Sequence, residues 1–308
     1  MRGAALIAAF GLCSAGAAAA VTLPAGTPCY AAAARDPLNR CSNPDLRYAA
    51  VPSPSEAVLM PGSPCRPVRV RRGAVLRPCE FGVSDERRTA TVALIGDSHA
   101  ASWRATLEVV AQAKRWRGFS ITRSACPFST HVRTRPQYGP VGCRRLHRET
   151  IAWLREHRWV TTIFVSSWAL PHIGPTTAYG GDAAAFGAML DRVPRSVRRI
   201  YVLRDNPVTS EDAPACVEAA RDRHLPLADV CPVRRSGALT PDPLAVAARS
   251  RRLRVRVVDL TRFFCGPRYC MPVIGGAYVY KDDNHMNAVY ATSLGPFVLR
   301  AIEGDQDR

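Results

Sequence analysis

The chain has 308 residues and a formal charge of +17, with 42 Lys and Arg against 25 Asp and Glu. That length buries a substantial core unaided, which excludes a mini-scaffold that lives on staples alone. The charge comes from 40 Arg and 2 Lys, spread in small clusters at 69–72, 144–145, 198–199 and 251–256. A nucleic-acid binder gathers such charge into one stripe interleaved with aromatics, so no nucleic-acid partner is expected. What remains is a weak, salt-screened attraction to anionic envelope polymers or membrane surfaces.

Residues 1–20 open on Met1-Arg2, continue with an apolar stretch and close on a run of alanines. This is the three-part layout of a secretory signal peptide, cleaved near Ala20, and it predicts a periplasmic or secreted protein. Cys13 follows Leu12, where a lipoprotein needs a small side chain, and is read as part of the signal. No later run is long and apolar enough for a transmembrane helix. Of eleven cysteines, ten remain beyond the signal, an even number, as a disulfide framework in an oxidising space requires. They fall in sequential pairs, Cys29/Cys41, Cys65/Cys79, Cys126/Cys143, Cys216/Cys231 and Cys265/Cys270. Each pair would close a short loop, although spacing alone leaves the connectivity open. No Cys-x-x-Cys knuckle and no His pair at ligand spacing is present, so neither a metal nor a cofactor is expected.

Residues 21–90 are rich in Pro, Ala, Arg and Cys without a sustained period, and predict an irregular, disulfide-stapled N-terminal extension. From residue 91 the pattern changes. Short β-branched runs at 91–95, 119–122, 161–166, 199–203 and 254–260 alternate with helical spacing at 100–116, 145–157 and 183–193. This predicts an α/β domain over 91–303 on a five-stranded, mainly parallel sheet, with loops on either side of the last strand and a closing helix.

The first run ends abruptly in Gly96-Asp97-Ser98-His99. Taken alone, Ser98 is a good helix N-cap. At the carboxyl end of a parallel strand, however, its hydroxyl also sits beside unpaired N–H groups and the positive end of a helix dipole. A serine nucleophile needs a base, and the base needs an orienting group. Near the C-terminus Asp282-x-x-His285 places a carboxylate and an imidazole on one short loop. Asp97 reads as a structural acid of the turn, Asn284 as a turn former, and Asp283 as a competitor that faces away. His99 is expected to point away from the serine. Trp168 either stacks on a bound ring or fills the crevice wall.

These two blocks resemble the SGNH/GDSL hydrolase superfamily. Together with "SACP" at 124–127, "SSW" at 166–168 and "PAC" at 214–216 they are most similar to the periplasmic SGNH domain fused to acyltransferase-3 proteins, O-acetyltransferases of cell-surface polysaccharides. The resemblance covers roughly 90–302. It implies a three-layer α/β/α flavodoxin-like fold, with Ser98 as nucleophile, His285 as base and Asp282 as its orienting partner. It also implies a cell-envelope glycan as substrate and a separate acyltransferase-3-like membrane protein as acyl donor. The broader superfamily completes its oxyanion hole with a glycine after the second strand and an asparagine after the third. Here Ser124, Ser167 and Trp168 stand in those regions and are the candidate oxyanion and substrate residues. The expected activity is O-acyl, in particular O-acetyl, transfer or ester hydrolysis. The alternative is a catalytically weak SGNH fold that binds glycan or scaffolds an envelope complex.

Overall fold

Residues 92–95 are apolar without alternation, which is how a strand buried on both faces reads. In the computed structural model they form the centre of a strand whose last six residues are all buried. The structure describes residues 26–70, 72–131, 140–169, 182–251 and 253–306; the expected signal segment, with Cys13, lies outside them. The strands are β1 Arg66–Pro67, β2 Cys79–Gly82, β3 Ala90–Gly96, β4 Trp116–Thr122, β5 Val160–Ser166, β6 Arg199–Leu203, β7 Val233–Arg234, β8 Val255–Val258, β9 Tyr269–Cys270, β10 Val273–Ile274 and β11 Ala277–Tyr278. The α-helices are α1 Pro54–Leu59, α2 Ser98–Ser102, α3 Arg104–Lys114, α4 Pro140–Glu156, α5 Ala183–Arg192, α6 Ala213–Asp222, α7 Arg235–Ala238, α8 Pro243–Arg249, α9 Ala288–Ser293 and α10 Gly295–Gln306.

The central sheet has the order β1-β2-β4-β3-β5-β6-β8. The five expected strands, β4, β3, β5, β6 and β8, form its parallel part. Because side chains alternate along a strand, Val92 and Leu94 enter one core while Ala93 and Ile95 enter another. The first core is closed by Leu107 and Val110 of α3, Tyr290 of α9 and Val298 of α10. The second is closed by Leu146 and Leu154 of α4, Phe186 and Leu190 of α5, and Leu244 and Ala248 of α8. The result is a mixed α/β fold in three layers, with helices on both faces of the sheet. β3 lies between β4 and β5, so successive crossovers leave it in opposite directions. A crevice opens at the carboxyl end of such a switch point.

Three expectations need correction. The helical run 100–116 is two helices, α2 and α3, and it stops earlier: Arg115 is left-handed with φ 53° and Trp116 begins β4. The stretch between the fourth and fifth parallel strands is not loop, since α6, α7 and α8 occupy it. α6 and α8 start with proline in their first turn, and such short segments give only two or three turns of period to recognise. The sheet is also wider than five strands, because β2 and β1 of the extension pair antiparallel outside β4. Four- and two-residue strands in a proline-rich stretch are too short to show a period of two.

The cysteines close in sequential pairs: Cys29–Cys41, Cys65–Cys79, Cys126–Cys143, Cys216–Cys231 and Cys265–Cys270. Ala31, Ala32, Ala50 and Ala57 of the extension are buried in the core shared with α3, α9 and α10. Among the described residues no helix is long and apolar enough to cross a membrane.

Candidate active site

The turn that follows β3 is fixed by glycine chemistry. Gly96 has φ 147°, and a Cβ built there would lie 2.0 Å from the Ser166 carbonyl oxygen and 2.7 Å from the Ala100 Cβ. Only glycine lets α2 start this close to β5. Asp97 then caps α2, accepting from the His99 N–H at 3.0 Å. Ser98 becomes the first helical residue, at the carboxyl edge of the sheet's switch point. Its N–H has no carbonyl one turn earlier to bond.

The second half of the site comes from the loop before α9. The Asp282 carboxylate grips that loop, accepting from the Asn284 N–H at 3.0 Å and the His285 N–H at 2.6 Å. Its other oxygen accepts from His285 Nδ1–H at 2.7 Å. With Nδ1 facing a carboxylate, Nε2 is left as an acceptor, and it lies 2.8 Å from the Ser98 hydroxyl. The structure therefore brings together Ser98, His285 and Asp282 across 187 residues of chain. Burial alone would raise the Asp282 carboxyl, but the bonds from the His285 side chain and from the two N–H groups reverse this and hold it at about 2.

The other candidates divide. Ser124 is exposed and lines the same cavity as Ser98, on a turn where Ala125 adopts φ 58°. Ser167 and Trp168 are not brought to that cavity: the Ser167 hydroxyl donates to Asp97 at 2.8 Å and the Trp168 N–H to the same oxygen at 3.0 Å. Both donors are spent on a fully buried carboxylate, which burial holds above its ordinary value although His99 and these bonds offset part of the effect. The Trp168 ring stacks on that of His99, with centroids 5.3 Å apart.

Sequence reasoning missed a buried network behind the triad. His99 is completely buried, with Nδ1 2.7 Å from an Asp205 oxygen and Nε2 3.1 Å from the Asn284 side-chain oxygen. Both ring nitrogens meet acceptors, so both carry protons and the ring is an imidazolium. Burial opposes that charge, yet Asp205 foremost, then Asp97 and Asn284, hold His99 up at about 9. Asp205 also accepts from the Ala169 N–H at 2.8 Å, and its own N–H donates to Asp242 at 3.1 Å. Asn206 donates to the Asn284 carbonyl at 2.7 Å. The ends of β3, β5 and β6 are thus tied to the loop that carries His285. One signal was legible: Arg204-Asp205-Asn206 follows the fourth parallel strand directly, where sites in such sheets gather.

A cavity of about 300 Å³ opens over Ser98, between α2, the 281–288 loop and residues 60–63 of the extension. Among the described residues no group of three or more His, Cys, Asp or Glu could hold a metal ion.

A family model described as SGNH domain (fused to AT3 domains) matches residues 64–300, well over half of the chain. The chain belongs to this family. The match begins ahead of residue 91 and takes in β1 and β2 as well as the three-layer core. Among solved structures, the SGNH fold is shared with the periplasmic domain of a lipopolysaccharide acetyltransferase from Salmonella ser. Paratyphi A. That match has 12% identity and a TM-score of 0.56, over 83% of this chain and 99% of that one. A carbohydrate acetylesterase family member from Sinorhizobium meliloti also matches, at 14% identity and a TM-score of 0.39, over 70% of this chain and 97% of that one. No curated protein sequence matches the SGNH chain.

Proposed function

We propose that this SGNH domain is an exported serine-dependent O-acyltransferase or esterase that acts on a cell-envelope polysaccharide, with acetyl as the acyl group. The observation that carries the reading is the 2.8 Å contact between His285 Nε2 and the Ser98 hydroxyl, with Asp282 fixing the tautomer from behind. Ser98 Oγ attacks the acyl carbonyl while His285 takes its proton. The leaving alcohol receives that proton, and the acyl group stays on Ser98. A sugar hydroxyl or water, deprotonated by His285, then attacks the acyl-serine and releases the ester or acid, and Ser98 regains its proton. The Ser98 N–H and the Ser124 turn, which lines the same cavity, are the donors assigned to the developing oxyanion in this mechanism.

Five disulfides support an oxidising compartment, either periplasmic or extracellular. The family's fusion to AT3 domains supports a separate AT3-like membrane protein as acyl donor, and the Salmonella neighbour, a lipopolysaccharide acetyltransferase, supports a glycan acceptor. The test is hydrolysis of p-nitrophenyl acetate, together with mass spectrometry after incubation with an activated acetyl donor. Ser98-dependent turnover and an acetyl adduct on the Ser98 peptide are expected. Equal rates for wild type and Ser98→Ala would end the enzyme reading. One observation favours a weakly catalytic, glycan-binding role: the Trp168 N–H and Ser167 hydroxyl, which follow the third parallel strand in the sequence region where the broader superfamily has its asparagine donor, are consumed by Asp97. Inertness to a fluorophosphonate with retained glycan binding would select it.

A further inference from the structure

The cavity over Ser98 carries two cations that no carboxylate neutralises. Arg104 opens α3 and is half-buried in the cavity wall. Its Nε–H donates to the Ser63 carbonyl at 2.8 Å, Nη2 donates to the same oxygen, and Nη1 reaches the Ser120 hydroxyl at 3.4 Å. Lys281 donates from Nζ to the Met60 carbonyl. Neither forms an ion pair with any described residue, and two N–H groups of the guanidinium and two of the ammonium remain to be used. Burial pulls the Arg104 guanidinium down from its ordinary value, and no neighbouring anion offsets it. Among the described residues the one acid lining the cavity is Asp282, already committed to His285. Among the described residues that line the cavity, Arg104 and Lys281 outnumber the single carboxylate, Asp282, by one.

A half-buried guanidinium whose only partners are carbonyl and hydroxyl oxygens is an unmet demand for an anion. Its planar fork suits a carboxylate, and the single surplus charge matches a monoanionic sugar better than a dianion. The carbonyls that orient both cations belong to residues 60–63, so the extension builds the wall that presents them to the mouth above Ser98.

We infer that the cavity over Ser98 selects a carboxylate-bearing sugar, and that Arg104 and Lys281 recognise its carboxylate. The inference rests on the reading of this cavity as the substrate site and names the substrate class. Ser98→Ala protein, which cannot turn over, is titrated calorimetrically with trigalacturonate and with its uncharged methyl ester. The acid should bind at least tenfold more tightly, and Lys281→Gln in the same background should cut that margin at least fivefold. Arg155→Gln, which removes an exposed cation outside the cavity, should cut it less than twofold. Equal affinities for acid and ester would overturn the inference. So would equal losses in Lys281→Gln and Arg155→Gln, because the preference would then come from the chain's overall charge. Arg104→Gln gives the second readout where Lys281→Gln does not fold, and the wild-type comparison of acid with ester needs no variant in the cavity. Acid-selective binding without Ser98-dependent ester turnover would sink the enzyme reading alone; turnover without acid selectivity would sink this inference alone.

Discussion

The rings of His99 and His285 lie with centroids 4.6 Å apart, yet they face opposite chemistry. His285 presents a free Nε2 lone pair to the Ser98 hydroxyl in the cavity. His99 is sealed in the interior, with both nitrogens donating, and stays positive. Adjacent imidazoles therefore divide the work: in the proposed mechanism one exchanges protons, and the other pins the helix of Ser98 to the loop of His285 through Asn284.

Stability should depend on pH through His99. Its proton is held to about 9 in the folded chain, against an ordinary value of 6.5. Between these values the folded state binds a proton that the unfolded state has lost, so this contribution is full below pH 6.5 and disappears as pH rises through 9. Asp242 acts in the same sense from 3.8 to about 6, because burial first and repulsion from Asp205 second raise it. Urea titrations at pH 6.5 and 9, with disulfides intact, should show a loss on the order of 2–3 kcal/mol for wild type. His99→Asn should show less than half of it, and an identical loss in both proteins would remove His99 as its source.

Removing Asp205 should be worse than removing His99 in one respect. Asp205→Asn leaves a buried imidazolium without its hydrogen-bonded counter-charge, a situation that costs about 3–5 kcal/mol. The protein should answer by releasing the proton, so the pH 6.5–9 dependence should flatten while the midpoint at pH 6.5 falls. Denaturation curves and the NMR titration of His99 report the two effects separately.

Within the proposed mechanism, Ser98→Ala and His285→Ala should each lower Ser98-dependent esterase activity by about 10³-fold or more, with the double variant no worse than either single one. Asp282→Asn should cost about 10³- to 10⁴-fold, because His285 loses the acceptor that sets its tautomer. Asp282 is held at about 2, so the acid limb of the pH–rate profile above pH 4 should not report its titration. Steady-state kinetics and fluorophosphonate labelling measure these outcomes.

Gly96→Ala should be among the most damaging single-methyl changes in the chain. The new Cβ would meet backbone oxygen at 2.0 Å, which forces β3 and β5 apart or displaces α2 and with it Ser98. A loss of about 3 kcal/mol or more is expected, measured as a fall in the denaturation midpoint together with loss of labelling at Ser98.

The paired change Cys65→Ser with Cys79→Ser opens a 14-residue loop that joins residue 65 to β2, just beyond the cavity wall at 60–63. Stability should drop by about 2–4 kcal/mol. KM should rise more than kcat falls, since in the proposed reading the wall binds substrate and does not react. An unchanged KM would show that the wall holds without its staple.

The alternation of strands and helices was legible because each parallel strand is buried on both faces and each flanking helix on one. The strand at 199–203 appears with those bounds. The break after Lys114 was not, since Trp116 suits either a helix or a strand and the left-handed Arg115 that separates them has no sequence signature of its own. The two blocks that hold Ser98, Asp282 and His285 stood out through their spacing and their order in the chain. Their support did not: Asp205, although it follows a strand end, meets His99 only over 106 residues and Arg104 meets the Ser63 carbonyl over 41, so neither contact can be read from local sequence.

Periodicity and local spacing, which depend on a few neighbouring residues, therefore determined from sequence the layers, the first parallel strand and the Asp-x-x-His loop of this protein. Which charges are buried, which donors are already spent and which cations meet no anion among the described residues were decided only by the folded chain. Burial and hydrogen-bond satisfaction are properties of what surrounds a group in space, and for Asp97, His99 and Arg104 those surroundings are assembled from segments far apart in the sequence.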